Sequence, residues 1–226
     1  GVKWKVVPNA VGIVLLLCGV AVPLLAAWLV YVRTEMAFAE HSQAACSSAE
    51  PMQPAGGPLQ RATGFDTRSP CWATGFAVTR GRHYRIVFAV TAPWRDSTIA
   101  ADPRGFGLER MPASGFVATV LRRSITDPWL RPMLKIEMPS KSLLGSPIHG
   151  LNVVETSSGS ATYYVAEFEA GEDGNVVLFV NDALKPAGDK EYFYANNAGG
   201  ADVCMEQIVR DGRPPRQPSC LDPVQR

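Results

Sequence analysis

From Ala10 to Val32 the chain runs 23 residues without a charge, most of them Val, Leu, Ala and Ile. At about 1.5 Å per residue such a helix reaches roughly 35 Å, enough to cross a hydrocarbon core of about 30 Å. The pattern predicts a transmembrane helix over 10–32. Pro23 lies inside it, and membrane helices tolerate proline because neighbouring groups satisfy the freed carbonyl, so a kink is expected there. Trp28 and Tyr31 fall near the end of the run, where amphipathic rings favour the headgroup zone. The apolar run is too long for a cleaved signal peptide, although Ala37-Phe38-Ala39 resembles a cleavage site, and too long without a charge for an ordinary core helix.

Beyond the span the period changes. Residues 33–45 are helix-compatible and extend the helix into a linker over 33–63, whose part from Ser47 to Pro58 is rich in Pro, Gly, Ser and Ala. Tyr84, Ile86, Phe88 and Val90 then alternate with other residues, as a half-buried strand requires. Strands are predicted over 72–79, 83–91, 115–121, 134–138, 162–169, 176–180 and 201–209. Arg80-Gly81 and Glu172-Asp173-Gly174-Asn175 supply turns. Short strands with no ectodomain helix predict an all-β ectodomain, an antiparallel β-sandwich over 64–210 that follows one transmembrane α-helix. Residues 1–9 form a short cytoplasmic segment and 211–226 a Pro-rich tail.

Charge sets the orientation. Lys3 and Lys5 precede the span, while Arg33 follows it together with Glu35 and Glu40, which favours the N-terminus inside. The net charge of +1 provides no field that would draw nucleic acid. The small basic clusters, Arg80 with Arg82 and Arg122 with Arg123, are expected at solvated turns or strand ends. Cys18 lies in the span, and Cys46, Cys71, Cys204 and Cys220 follow it. An even number of ectodomain cysteines suits two disulfides in an oxidising compartment. Of the three pairings that four cysteines allow, proximity in the chain favours Cys46–Cys71 and Cys204–Cys220. No CxxC spacing is present and the three histidines are scattered, which argues against a structural zinc site. The expected location is a bacterial inner membrane, with the C-terminal domain in the periplasm.

The most distinctive segment is Leu178-Phe-Val-Asn-Asp182, a loop, and then Phe193-Tyr-Ala-Asn-Asn197-Ala-Gly-Gly200. A carboxylate and two amide oxygens converging between loops suit calcium, and the same groups can bond sugar hydroxyls beside an aromatic face from Tyr192, Phe193, Tyr194 or Trp94. Asn and Asp also shape turns through their own backbone, so a purely local role for 181–182 and 196–197 stands beside the binding one.

The order strand, Asn-Asp, loop, aromatic-x-Asn-Asn-x-Gly, final strand resembles the C-terminal half of the calcium-dependent galactophilic lectins of bacteria. Arg80-Gly81, then Tyr84-Arg-Ile-Val, then Trp94 is similar to the early strand and ligand loop of those lectins. The resemblance spans roughly Gly64 to Ile208 and implies a galactose-binding-like sandwich. It further implies calcium held by the side chains of Asp182, Asn196 and Asn197, by the Phe193 carbonyl and by a residue of the Trp94–Ser97 loop. Trp94, Asp96 and Tyr194 would then flank the ligand. The chain departs from that pattern in a longer loop, with Lys185-Pro-Ala-Gly-Asp-Lys190 inserted, and in lacking a counterpart of the lectins' sugar-contacting His and Gln loop.

Signatures of catalysis are absent from the sequence: there is no GxSxG, HExxH or P-loop, and His41, His83 and His149 are dispersed. Asp96, Asp102 and Glu109 lie in one loop region without a defined separation. The sequence therefore favours a non-enzymatic binding module, tethered to the membrane and recognising carbohydrate or an envelope partner. An accessory subunit of an inner-membrane complex is the alternative, with Gly12, Gly19, Ala26 and Ala27 allowing close helix packing against partner helices. Because the chain opens on Gly1, a third reading is the C-terminal anchor of a larger cytoplasmic enzyme.

Overall fold

The structure is a computed structural model and describes residues 10–41, 59–112, 115–137, 147–158, 161–185, 191–208 and 219–221. Helix α1 (Ala10–His41) is continuous through Pro23, and its segment Gly19–Met36 is long and apolar enough to cross a membrane. It outlasts the apolar run because its last turns find a protein surface. Val32 and Met36 are buried, and Arg33 Nη1 donates to the carbonyls of Arg122 at 2.7 Å and Val120 at 3.4 Å.

The rest is two antiparallel sheets. The strands are β1 (Leu59–Asp66), β2 (Trp72–Val78), β3 (His83–Asp96), β4 (Ile99–Ala101), β5 (Pro132–Glu137), β6 (Ile148–Gly150), β7 (Val154–Ser158), β8 (Ala161–Glu169), β9 (Gly174–Val180) and β10 (Asn197–Ile208). One sheet runs β1-β10-β3-β8-β7 with β4 hairpinned onto β3, and the other runs β2-β9-β5-β6. The alternation read in β3 is realised: Tyr84, Ile86 and Phe88 point into the core against Phe76, Val78, Leu134, Ile136, Val176, Leu178 and Val180 from the facing sheet. Each of these side chains, fully withdrawn from water, contributes roughly 1.5–3 kcal/mol. Phe65 anchors one end of the core, in edge contact with Trp72 and Phe88.

Three expectations are corrected. Residues 115–121 are not a strand; they include a short helix, α2 (Gly115–Thr119). The sheet begins at Leu59, inside the stretch assigned to the linker, because β1 pairs with β10 and Gln60 bonds β2 through Ala77 N at 3.0 Å and Ala77 O at 3.2 Å. Arg122 and Arg123 are not solvated. They are 7% and 6% exposed, with Arg122 lying over the Trp129 ring and Arg123 over Phe179. Their backbone joins the 182–184 segment through Leu184 N to Leu121 O at 2.9 Å and Arg123 N to Asp182 O at 3.0 Å.

The Cys204–Cys220 disulfide forms as expected and packs with Val87 on the outer face of the larger sheet. Cys71 is also disulfide-bonded. Cys46, its expected partner, lies outside the described residues, as do the segments 1–9 and 222–226.

Cys204 and Cys220 lie 16 residues apart, and closing a loop of that size by a disulfide stabilises a fold by about 3 kcal/mol. Cys220→Ser is therefore expected to lower the unfolding free energy of the full chain by about 2–3 kcal/mol, read as a lower denaturant midpoint with a slope equal to or steeper than that of the parent, since the unfolded chain is then less constrained.

Candidate functional site

Antiparallel pairing of β3 with β10 places Asp96 directly opposite Asn197. The hairpin turn after β3 brings Ser97 into the left-handed region at φ 52°, and Ser97 N donates to Asn196 O at 3.1 Å. β9 ends at Val180, so Asn181 and Asp182 leave the sheet at the same end of the sandwich. Four residues predicted from sequence, Asp96, Asp182, Asn196 and Asn197, are thus brought together from three places in the chain.

Asn181 and Asp182 do different things. Asn181 is fully buried and satisfied: Oδ1 accepts from Ser124 N at 2.9 Å, and Nδ2 reaches the carbonyls of Ser124, Asp127 and Pro128 at 2.9–3.0 Å. It staples the 124–128 loop, which is the local role that sequence allowed. Asp182 is 3% exposed; its Oδ1 accepts from Ala183 N at 2.6 Å and its Oδ2 from Asn197 Nδ2 at 2.7 Å. Those bonds do not balance its burial. Desolvation, and then the charge of Asp96, push its pKa up to about 7, against weaker opposition from its hydrogen bonds and Arg123. Asp96 is itself raised by burial, and a hydrogen bond with the Asn196 side chain opposes that shift.

Asn197 carries the clearest sign of an incomplete site. Its Nδ2 is used twice, by Asp182 and by Thr67 O at 3.2 Å, yet its Oδ1 is buried with no hydrogen-bond partner among the described residues. Such orphaned acceptors are rare in native interiors. The donor set is all oxygen: two carboxylates, the Asn196 and Asn197 amides, and nearby carbonyls including that of Phe193, which accepts only a long 3.4 Å bond from Asn196 N. No group of three His, Cys, Asp or Glu side chains comes together among the described residues. Hard cations are bound by such mixed carboxylate, amide and carbonyl oxygens.

Two residues expected to flank a ligand do not present a face to it. Trp94 is 1% exposed, wedged against Phe65, and its Nε1 donates to Gly200 O at 3.2 Å. Tyr194 is fully buried, and its hydroxyl donates to Val180 O at 2.6 Å. Both serve the core because their polar tips find backbone carbonyls inside it. The exposed ring of the loop is Tyr192, 60% accessible, with Phe193 edge-on and Lys185 Nζ 5.3 Å from the ring centroid. Gly199 shapes this end: its φ is +121°, and a Cβ there would stand 2.6 Å from Trp94 Cα. Arg123, whose charge reaches Asp182, was missed in the sequence because no periodicity marks it as buried.

No protein-family model matches the chain, and no curated protein matches it. Among solved structures it is similar to one described as "EclA N-terminal domain; PllA-like lectin", at 13% identity and a TM-score of 0.36, covering 66% of this chain and 95% of that one. At that distance the likeness carries no argument about the site.

A folded-state pKa near 7 against an ordinary 3.8 means that between those values the folded protein keeps a proton the unfolded chain has released. Stability therefore falls as pH rises from about 4 to about 7 and levels off above, by roughly 4 kcal/mol at most given about 1.36 kcal/mol per pKa unit. Thermal melts without added metal should show the full chain more stable at pH 5 than at pH 8. Asp182→Asn should flatten that slope, and an unchanged slope in the variant would assign it to another group.

Proposed function

We propose that this chain is a non-catalytic binding module, tethered by α1 and held outside the cytoplasm, that binds calcium between the β3–β4 turn and the β9–β10 connection and uses it to recognise carbohydrate. The observation that carries the reading is the pairing of a carboxylate whose pKa is pushed up to about 7 by burial and then by its neighbour Asp96 with the Asn197 Oδ1, which has no partner among the described residues. A divalent cation beside them would give the amide oxygen its missing partner and offset the repulsion between the two carboxylates. Asp182, Asp96, Asn197 and Asn196 would hold it, with the Phe193 carbonyl completing the oxygen set. Bound there, the ion would supply a Lewis-acidic contact for paired hydroxyls.

Support for a carbohydrate comes from the loop surface. Asn196 is exposed at the rim, and Tyr192 offers an open aromatic ring on the same connection, the combination of amide and apolar face that sugars use. Support for the tether comes from the uncharged run of α1 and the lysines that precede it, which favour an inner membrane with the N-terminus inside. The Cys204–Cys220 disulfide fits an oxidising, periplasmic side for the domain.

Calorimetry on the full chain in detergent tests the reading. Calcium is expected to bind with 1:1 stoichiometry, tighter at pH 8 than at pH 5 because protons compete for Asp182, and Asp182→Asn should weaken it at least tenfold. Saturating calcium should also reverse the pH trend of the melts, since the ion favours the ionised carboxylate. A glycan panel should then show binding that chelator removes and Tyr192→Ala reduces. No calcium heat at either pH sinks the metal; calcium binding with no retained glycan sinks the carbohydrate half alone.

A further inference from the structure

A second group of unmet polar atoms lies where α1 meets the domain, built from donors rather than acceptors. We propose that Arg33, Arg122 and the Trp129 indole N–H form a binding site for the phosphate of an anionic membrane lipid, at the point where the helix leaves the bilayer. The proposal rests on the reading of α1 as a membrane anchor, and is independent of the calcium site.

Arg122 is a cation with little to balance it. It is 7% exposed, its Nη2 donates to Ile125 O at 2.5 Å, and its Nε is buried with no partner among the described residues. Its guanidinium stacks over Trp129, centroid distance 5.1 Å, and the Trp129 Nε1, in a ring 1% exposed, is also buried without a partner among the described residues. Two unmet N–H donors therefore sit in side chains stacked on one another. Burial lowers the Arg122 pKa against the opposing charge of Asp127, and Arg33 lies close enough for its like charge to add to that lowering. Asp127, the acid whose charge acts on Arg122, is engaged by Ser124 Oγ at 2.6 Å and Arg131 Nη1 at 3.4 Å. Buried charges are ordinarily paired, and the carboxylate whose charge reaches Arg122 is already engaged by Ser124 and Arg131.

The surroundings hold this arrangement in place. Arg33 is fixed by the two carbonyls that its Nη1 reaches, Trp129 by reciprocal 2.9 Å backbone bonds with Phe106, and the next residue, Leu130, is kept at φ 58° by its bond to Asn181 O. A leucine in that region is strained and persists only where its neighbours enforce it. Arginine forks suit phosphate oxygens, and an indole N–H adds a neutral donor. Location selects the source of the anion. Arg33 is the first charged residue after the apolar run, and Val32 and Met36 pack into the domain, which on the reading of α1 as an anchor sets this cluster beside the headgroup zone.

The full chain reconstituted into nanodiscs of phosphatidylcholine alone, or with phosphatidylglycerol, tests this by thermal unfolding and by native mass spectrometry of retained lipid. Phosphatidylglycerol should raise the melting temperature and remain bound. Trp129→Phe, which keeps the stacked ring and deletes the donor, should weaken retention about tenfold, the size of one hydrogen bond to a charged group. Arg122→Gln should abolish retention, and if that variant does not fold, Trp129→Phe decides. Equal melting in both discs, or lipid retention unchanged in Trp129→Phe, overturns the site while leaving the anchor intact. Inorganic phosphate reproducing the shift in phosphatidylcholine discs overturns the lipid source. A chain that does not enter the bilayer overturns the anchor and this proposal together.

Discussion

β3 and β10 pair along nearly their whole lengths, from His83 opposite Ile208 to Asp96 opposite Asn197, and that ladder forms the spine of the larger sheet. At one end it buries Tyr84, Ile86, Phe88, Val203 and Met205 against the second sheet; at the other it delivers a carboxylate and an amide to each other across more than a hundred residues of sequence. Register has only one acceptable value here, since a slip by one residue would turn every core side chain of β3 to the opposite face. The same slip would part Asp96 from Asn197. The hydrophobic pattern that builds the core therefore also aligns the polar end, and the irregularity around Gly199 and Gly200 lets the last residues turn past Trp94 without losing the pairing.

At that polar end the dipeptide Asn181-Asp182 separates two outcomes of burying a polar side chain. Asn181 meets its partners in full and acts as a staple, which locks the loop that carries Trp129 and Leu130. Asp182, one residue on, accepts two good hydrogen bonds and remains uncomfortable, because a second carboxylate faces it and burial strips its water. Neutral polar groups can be satisfied by geometry alone, while an ionisable one also needs its charge met. That difference, rather than the mere presence of Asn and Asp, sets Asp182 apart from a residue that only shapes a turn.

Much of the framework was legible in the chain because alternation and turn chemistry are local. β3, β8, β9 and β10 all lie where their apolar patterns put them, and the 172–175 turn joins β8 to β9. Local signals failed where tertiary partners decide. Residues 115–121 carry a strand-like apolar run but have no neighbouring strand to pair with, and their first part turns as a helix. Arg122 and Arg123 read as solvated because nothing nearby in sequence announces Trp129 or Phe179 as the rings beneath them. Trp94 and Tyr194 read as ligand-facing for the same reason, since their hydrogen bonds to Gly200 O and Val180 O are long-range. The site residues Asp182, Asn196 and Asn197 could be named from their spacing, but the orphaned oxygen and the raised carboxylate are properties of the folded arrangement.

One short segment connects two of the regions where polar atoms remain unmet among the described residues. Residues 120–123 receive Arg33 of α1 on one side, through the carbonyls of Val120 and Arg122, and bond the 182–184 segment on the other, through Leu121 O and Arg123 N. Arg123 extends the link by placing its charge where Asp182 feels it. A few rigid hydrogen bonds thus join the end of the apolar helix to the carboxylate at the end of the sandwich. With so few residues between them, the helix exit and the polar end share one backbone support. A displacement of 120–123 would have to break bonds on both sides at once, so the placement of the domain on its helix and the geometry around Asp182 are held by the same contacts.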